Sequence, residues 1–347
     1  MHFLIVKFGA LGDVVRTSYF AHALKQTYGE ALRLSWLTSS ASLPLLRFNI
    51  WIDDLWTAFS EAKNFKFSKI FSLDDEQSIA EGVMFLSADQ IIGTLLDEKG
   101  NLTYSKDSAP WFDMGLNSKF GKKRADELKK LNSCGHAEIF SKILNVKTPK
   151  PEFYGNPVMD AWAKAYLKKD VLNIGINPFA GGRWPSKELP ENEFVPLIQG
   201  LQELFSRNQH AVDITLLGAG KDFLRNQEIA QSLKDPSVKA IKTDDSILRL
   251  AAVIKNLNYL FTSDSLAMHL AIAQRIPFLA FFAPTSSSEI DDFGVGRKVR
   301  SLANDYCSYR KNVDNSSITA ERLIKESINH MTHIPQFSKL FQGNLSP

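Results

Sequence analysis

Continuous apolar runs alternate with segments of helical spacing through most of the chain. A run apolar on both faces, followed by a helix, is the sequence form of a parallel strand and its crossover. Residues 3–6 are the first such run. The turn Lys7-Phe8-Gly9-Ala10-Leu11-Gly12-Asp13 follows, then helical spacing over 14–28. Further strands are expected at 32–37 and 69–73. Residues 84–135 mix short apolar runs with Gly, Asn, Lys and Asp, which predicts irregular insertions around a helical core. The pattern restarts near residue 170. A strand at 171–176 leads to the Gly-rich loop Phe179-Ala180-Gly181-Gly182-Arg183, and a helix is expected at 191–205. A strand at 214–217 runs into Gly218-Ala219-Gly220-Lys221-Asp222, and 246–254 reads as a short helix. Residues 259–261 form a strand that stops at Thr262-Ser263-Asp264-Ser265. An Ala/Leu/Met-rich helix and a strand at 278–282 complete that unit.

Two successive Rossmann-like halves account for this order, and the fold class is α/β with parallel sheets. At 347 residues there is room for two domains of about 150 residues each. The expected division is 1–168 and 169–318. Leu323, Ile324, Ile328 and Met331 give the remaining 319–347 a helical face that could pack back on the first domain. A hydrophobic fraction of 44% supports real cores, and a net charge of +3 is only mildly basic. Lys122-Lys123-Arg124 with Lys129-Lys130 is a solvated helix face or a point of attraction for an acidic substrate or anionic membrane. Basic residues are not interleaved with aromatic ones, so nucleic acid is not expected as a partner. Two cysteines, Cys134 and Cys307, form no CxxC pair, which fits a reduced, cytoplasmic protein. No apolar run reaches membrane-spanning length.

Chemistry is expected where strands end and helices begin, because ligands of open α/β sheets bind there and free helix amides favour anions. One side chain suffices to cap a helix, yet Thr262, Ser263, Asp264 and Ser265 crowd one start, with His269 a turn further on. That excess predicts a polyhydroxylated or phosphorylated ligand. Asp13 lies at another helix start, either as a cap or as a carboxylate able to take a proton from an incoming hydroxyl. The loop from Asn177 to Lys187 is an ordinary exposed loop or one that brings Lys187 to a diphosphate. Gly218-Ala219-Gly220-Lys221 lacks the spacing of a phosphate-binding loop of the Walker type. Asp292-Phe293-Gly294 has no kinase catalytic loop before it, no D-x-D occurs, and His136 and His210 have no partner motif.

Four separated segments, in order, resemble glycosyltransferase family nine, the ADP-heptose:lipopolysaccharide heptosyltransferases and their relatives. Lys7 to Thr17, with Gly9, Gly12 and Asp13 spaced G-x-x-G-D ahead of Thr17, resembles the family's amino-terminal signature. Lys187 to Ile198, Leu217 to Asp222, and Thr262 to Thr285 resemble the later family blocks. The resemblance implies a GT-B architecture of two Rossmann-like domains facing a central cleft, with the acceptor at the first and the donor at the second. It implies metal-independent, inverting transfer of a sugar (heptose among the candidates) from a nucleotide-diphosphate donor, an ADP-sugar before others. The donor serves as co-substrate, and neither a cofactor nor a metal is implied. The acceptor would be a hydroxyl of a glycan or glycolipid, with peripheral membrane contact if it is lipid-linked.

By the same resemblance Asp13 is the base and Lys187 stabilises the departing diphosphate. Donor contacts fall to Gly12, Gly181, Gly182, Arg183, Gly218, Gly220, Asp222, Asp264, Ser265, Leu266 and His269. For His269, packing the turn is an equal alternative. Leu266 stands where the family carries glycine, and Leu189 stands where it carries tryptophan. Two rivals remain: an epimerase or hydrolase of nucleotide sugars on the same fold, and a silent nucleotide-sugar-binding protein.

Overall fold

The computed structural model describes residues 1–341 except 182–183 and 244–245. The chain divides into two compact units. One comprises residues 1–154 with 288–291, the other 155–287 with 292–347.

The first unit is built on strands β1 (His2–Val6), β2 (Arg33–Leu37), β3 (Asp54–Trp56), β4 (Lys69–Ser72), β5 (Ile91–Leu96) and β6 (Leu102–Tyr104), with helix α1 (Leu11–Tyr28) after β1 and α2 (His136–Leu144) later. Their order in the sheet is β3-β2-β1-β4-β5-β6. All neighbours are parallel except β5 and β6. Alternation along β1 explains its unbroken apolar sequence: Phe3 and Ile5 enter one core, Leu4 and Val6 the other.

The 84–135 region departs from the expectation of irregular insertions. It supplies two strands of the sheet, β5 and β6, and the helix Gly121–Leu131. Gly93 is the reason β5 reads poorly. Its φ is +113°, and a Cβ there would lie 1.8 Å from the Ser72 carbonyl oxygen, so only glycine fits beside β4.

The second unit opens with helix α3 (Pro157–Tyr166). It continues with β7 (Leu172–Asn177), α4 (Phe194–Arg207), β8 (Val212–Gly218), α5 (Lys221–Leu233), β9 (Val238–Lys242), α6 (Ile247–Lys255), β10 (Tyr259–Ser263), α7 (Leu266–Ala273), β11 (Phe278–Phe282), β12 (Gly296–Arg300) and α8 (Ala320–Met331). The sheet order is β9-β8-β7-β10-β11-β12, wholly parallel. Both units therefore have the Rossmann strand order, with the direction of winding reversing beside the first strand of each.

Two boundaries differ from the sequence expectation. The division falls after Tyr154 rather than at 168, because α3 packs on α6 of the second unit. Arg249 of α6 lies 4.6 Å from the Trp162 ring, and Lys255 pairs with Asp160. The C-terminal segment, expected on the first domain, belongs to the second. Leu323, Met331, Phe337 and Phe341 are buried in one core with Leu197, Ile198 and Phe205 of α4. Helical spacing revealed the helix but not the face it would cover.

Candidate active site

In the second unit the winding reverses between β7 and β10, and the polar groups gather at the carboxyl ends of those strands. Lys187 follows β7 by a short loop. Its Nζ lies 2.8 Å from Asp264 Oδ2 and donates to the Asp264 carbonyl at 3.3 Å. Thr285, beyond β11, donates to the same carboxylate oxygen at 2.7 Å. Burial opposes ionisation of Asp264, but Lys187 and then His269 outweigh it and hold the carboxyl at about 2. His269 itself is buried in α7. The expected Lys187, Asp264 and His269 are thus brought together.

The hydroxyls around Asp264 have protein partners. Asn177, the last residue of β7, donates to Ser265 Oγ at 2.9 Å and to the Phe179 carbonyl at 3.1 Å. Ser263 donates to the same carbonyl at 3.0 Å, and Thr262 and Ser265 are 3.1 Å apart. These hydrogen bonds tie the 177–179 loop to the β10–α7 turn. Leu266 is the first helical residue and is half-buried. Leu189 packs into the core with Phe179 and Phe194, an apolar role that accommodates leucine.

A second cluster lies at the β8–α5 turn. Gly220 has φ +52° and immediately precedes α5, and Asp222 is buried in its first turn. Gly218 faces the same turn: a Cβ there would sit 2.7 Å from Asn226 Nδ2 and 3.0 Å from the Asp222 backbone. Burial, then the nearby Glu188 carboxylate, push Asp222 up, against Arg225 and a hydrogen bond from the Gly181 amide. Gly181 has φ +74°, a conformation that favours glycine. Arg225 pairs with Glu188 at 2.9 Å and lies 3.7 Å from the Phe179 ring. Gly182 and Arg183 lie outside the described residues.

In the first unit the β1–α1 turn is fastened from below. Lys7 Nζ lies 2.6 Å from Asp74 Oδ1, both side chains buried, and the Phe8 amide donates to the other Asp74 oxygen. Ser39 and Ser42 both donate to the Phe8 carbonyl at 2.9 Å. Gly12 is buried at the second position of α1, and Asp13 follows it at the third. Asp13 accepts the Ala10 amide at 3.3 Å, pairs with Arg16 at 2.8 Å, and keeps 34% of its side chain exposed. Its carboxylate therefore closes the helix start from inside the first turn rather than from the cap position itself.

Residues 136–319, just over half of the chain, match the family model described as glycosyltransferase family 9 (heptosyltransferase). The chain belongs to glycosyltransferase family 9. Three solved structures share the fold of this family 9 enzyme. Escherichia coli heptosyltransferase WaaC with ADP has a TM-score of 0.63 at 15% identity, covering 95% of this chain and 100% of that one. E. coli ADP-heptose lps heptosyltransferase II gives 0.65 at 15% identity, with 95% and 98% covered. The family 9 glycosyl transferase from Veillonella parvula DSM 2008 gives 0.70 at 16% identity, with 95% and 96% covered. No curated protein is significantly similar to the chain in sequence. The GT-B architecture of two Rossmann-like domains, expected from the four motifs, holds for this glycosyltransferase.

Among the described residues of the family 9 chain, no group of three His, Cys, Asp or Glu side chains is placed to hold a metal ion. No helix of those residues is long and apolar enough to cross a membrane. Sequence reading missed several residues that shape these clusters: Asn177, Glu188, Arg225 and Arg16. Asn177 carried a usable signal, since an amide at the end of a central apolar strand needs a polar partner. Glu188 and Arg225 carried none, being 37 positions apart.

Proposed function

We propose that this glycosyltransferase moves a sugar, with inversion, from a nucleoside diphosphate donor to a hydroxyl of a glycan or glycolipid acceptor. An ADP-sugar, heptose-bearing before others, is the first donor to test, because the two E. coli relatives are described with ADP and as acting with ADP-heptose. The observation that carries the reading is the Lys187–Asp264 pair at the strand-order reversal of the second unit, beside the amino end of α7.

In this reading Asp13 removes the proton from the acceptor hydroxyl as the oxygen attacks the anomeric carbon. The bond from that carbon to the diphosphate oxygen breaks on the opposite face, and the diphosphate leaves with the electron pair. Lys187 offsets the charge gathering on the leaving group, a stabilisation worth most where it is fixed in advance. Asp264 keeps Lys187 in place while the donor is absent, and the α7 amides face the phosphates. Asp222, its charge opposed by burial, receives a hydrogen bond from the donor ribose, with Gly181 and Gly220 allowing close backbone approach and Gly218 letting the first turn of α5 pack against β8. Gly12, Gly182, Arg183, Ser265, Leu266 and His269 complete the proposed contacts. No step needs a metal. A chain with only two cysteines, far apart in sequence and in no CxxC pair, favours the cytoplasm, and a lipid-linked acceptor would bring the enzyme to a membrane surface.

The test is transfer from ADP-heptose to a lipopolysaccharide-core acceptor. Asp13→Ala should lower turnover by about 10²–10⁴-fold while calorimetry gives unchanged ADP binding. Near wild-type turnover in that variant, with chemistry limiting, would remove Asp13 from the mechanism.

A further inference from the structure

Arg16 is the immediate partner of Asp13, one turn along α1, and it is an unusual arginine. Only 14% of its side chain is exposed, its Nη2 lies 2.8 Å from Asp13 Oδ1, and its Nε is buried without a hydrogen-bond partner. The guanidinium rests 5.2 Å from the centre of the Trp111 ring, whose other neighbours are the rings of His136 and Phe140. A merely solvated i,i+3 pair would leave the arginine free to wander in water and would contribute little. Here one donor is left unsatisfied, so hydrogen-bonding alone does not explain the placement. The aromatic face and the Asp13 carboxylate together do, because a guanidinium is stabilised both by a ring quadrupole and by an anion.

We infer that Arg16 is a positioning residue for the transfer reaction: clamped on Trp111, it orients the Asp13 carboxylate and keeps it ionised before the acceptor arrives. This rests on Asp13 being the base proposed above. A base must be deprotonated to act, and a cation at this distance favours the charged form of a carboxylate. When the acceptor proton reaches Asp13 the pairing with Arg16 weakens, and passing that proton to water restores it. Arg16 pairs with Asp13 and also acts on Tyr19, on the next turn of α1, which Asp291 influences in the opposite sense; His136 meets the Trp111 ring that Arg16 rests on. Burial pushes Tyr19 far up, so it stays neutral throughout the working range.

Wild type, Arg16→Met, Arg16→Lys and Asp13→Asn, each labelled at the aspartate carboxyl carbons, provide the test. The Asp13 resonance is the one absent from Asp13→Asn. Its titration midpoint should rise by about one pH unit in Arg16→Met and return most of the way in Arg16→Lys. With ADP-heptose as donor, the acid limb of kcat/KM should move by the same amount in Arg16→Met, with kcat lowered about tenfold and donor KM unchanged. An unmoved midpoint in both Arg16 variants, with melting temperatures near wild type, overturns the inference. Should Arg16→Met fail to fold, Arg16→Gln, which keeps a polar side chain and loses the charge, takes its place, and an unmoved midpoint there overturns the inference. Loss of turnover in Asp13→Asn with silent Arg16 variants sinks only the role of Arg16. Full turnover in Asp13→Asn sinks the base as well.

Discussion

Asp264 stays charged although burial strips it of water, because Lys187, with His269, holds the charge in place. With the folded carboxyl at about 2 and the ordinary value at 3.8, ionisation favours folding by about 2 kcal/mol above pH 4. The sign follows from the lowered value: this stabilisation is complete above pH 4 and disappears as the pH falls towards 2. Lys187→Met should therefore cost about 3 kcal/mol in urea unfolding at pH 7, by stranding a buried carboxylate. The deficit should shrink in the same measurement below pH 3, where Asp264 takes up a proton. Asp222 has the opposite sign, since burial and Glu188 raise it: its charge opposes folding at neutral pH, and Asp222→Asn should raise the urea midpoint there while weakening ADP binding. At this scale the sequence revealed residue types at strand ends but not their pairing. Lys187 and Asp264 are 77 positions apart, and only the fold brings them within reach.

Strand ends, turns and helix starts form the next scale, and here much was legible. Strands buried on both faces, such as β1, β10 and β11, show as unbroken apolar runs, and their bounds were nearly right. Edge strands were not: β12 has the sequence Gly-Arg-Lys-Val-Arg, with a single buried residue among its five, and so carries no apolar run to find. The turn after β8 shows how an element's geometry reaches the chemistry. Because a side chain on Gly218 would strike the first turn of α5, Gly218→Ala should push Asp222 outward. We expect a loss of about 1–3 kcal/mol in stability and weaker ADP binding by calorimetry, with transfer from saturating donor affected less than affinity. Equal affinity in that variant would detach Asp222 from the nucleotide.

Across the whole molecule, the same strand order appears twice, yet the chain does not divide into two uninterrupted halves. The C-terminal segment closes the core of the second unit with Leu323, Met331, Phe337 and Phe341. Each such side chain contributes about 1.5–3 kcal/mol on burial, so together they rival the net stability of an entire domain. Deleting residues 320–347 should abolish the calorimetric transition of the second unit. The first unit should keep its own calorimetric transition. The repeated pattern of apolar runs made the two-domain plan readable, whereas an amphipathic tail fits any apolar surface equally well by its sequence alone.

The excursion of 288–291 back into the first unit has a practical consequence. Within that short span Glu289 accepts the His136 amide and Asp291 accepts the Ala137 amide, so a distant stretch of chain finishes the amino end of α2. A gene fragment stopping at codon 154 would encode a lobe with that helix uncapped. Anyone grafting the first unit into a chimaera must bring the tetrapeptide with it or engineer a substitute carboxylate.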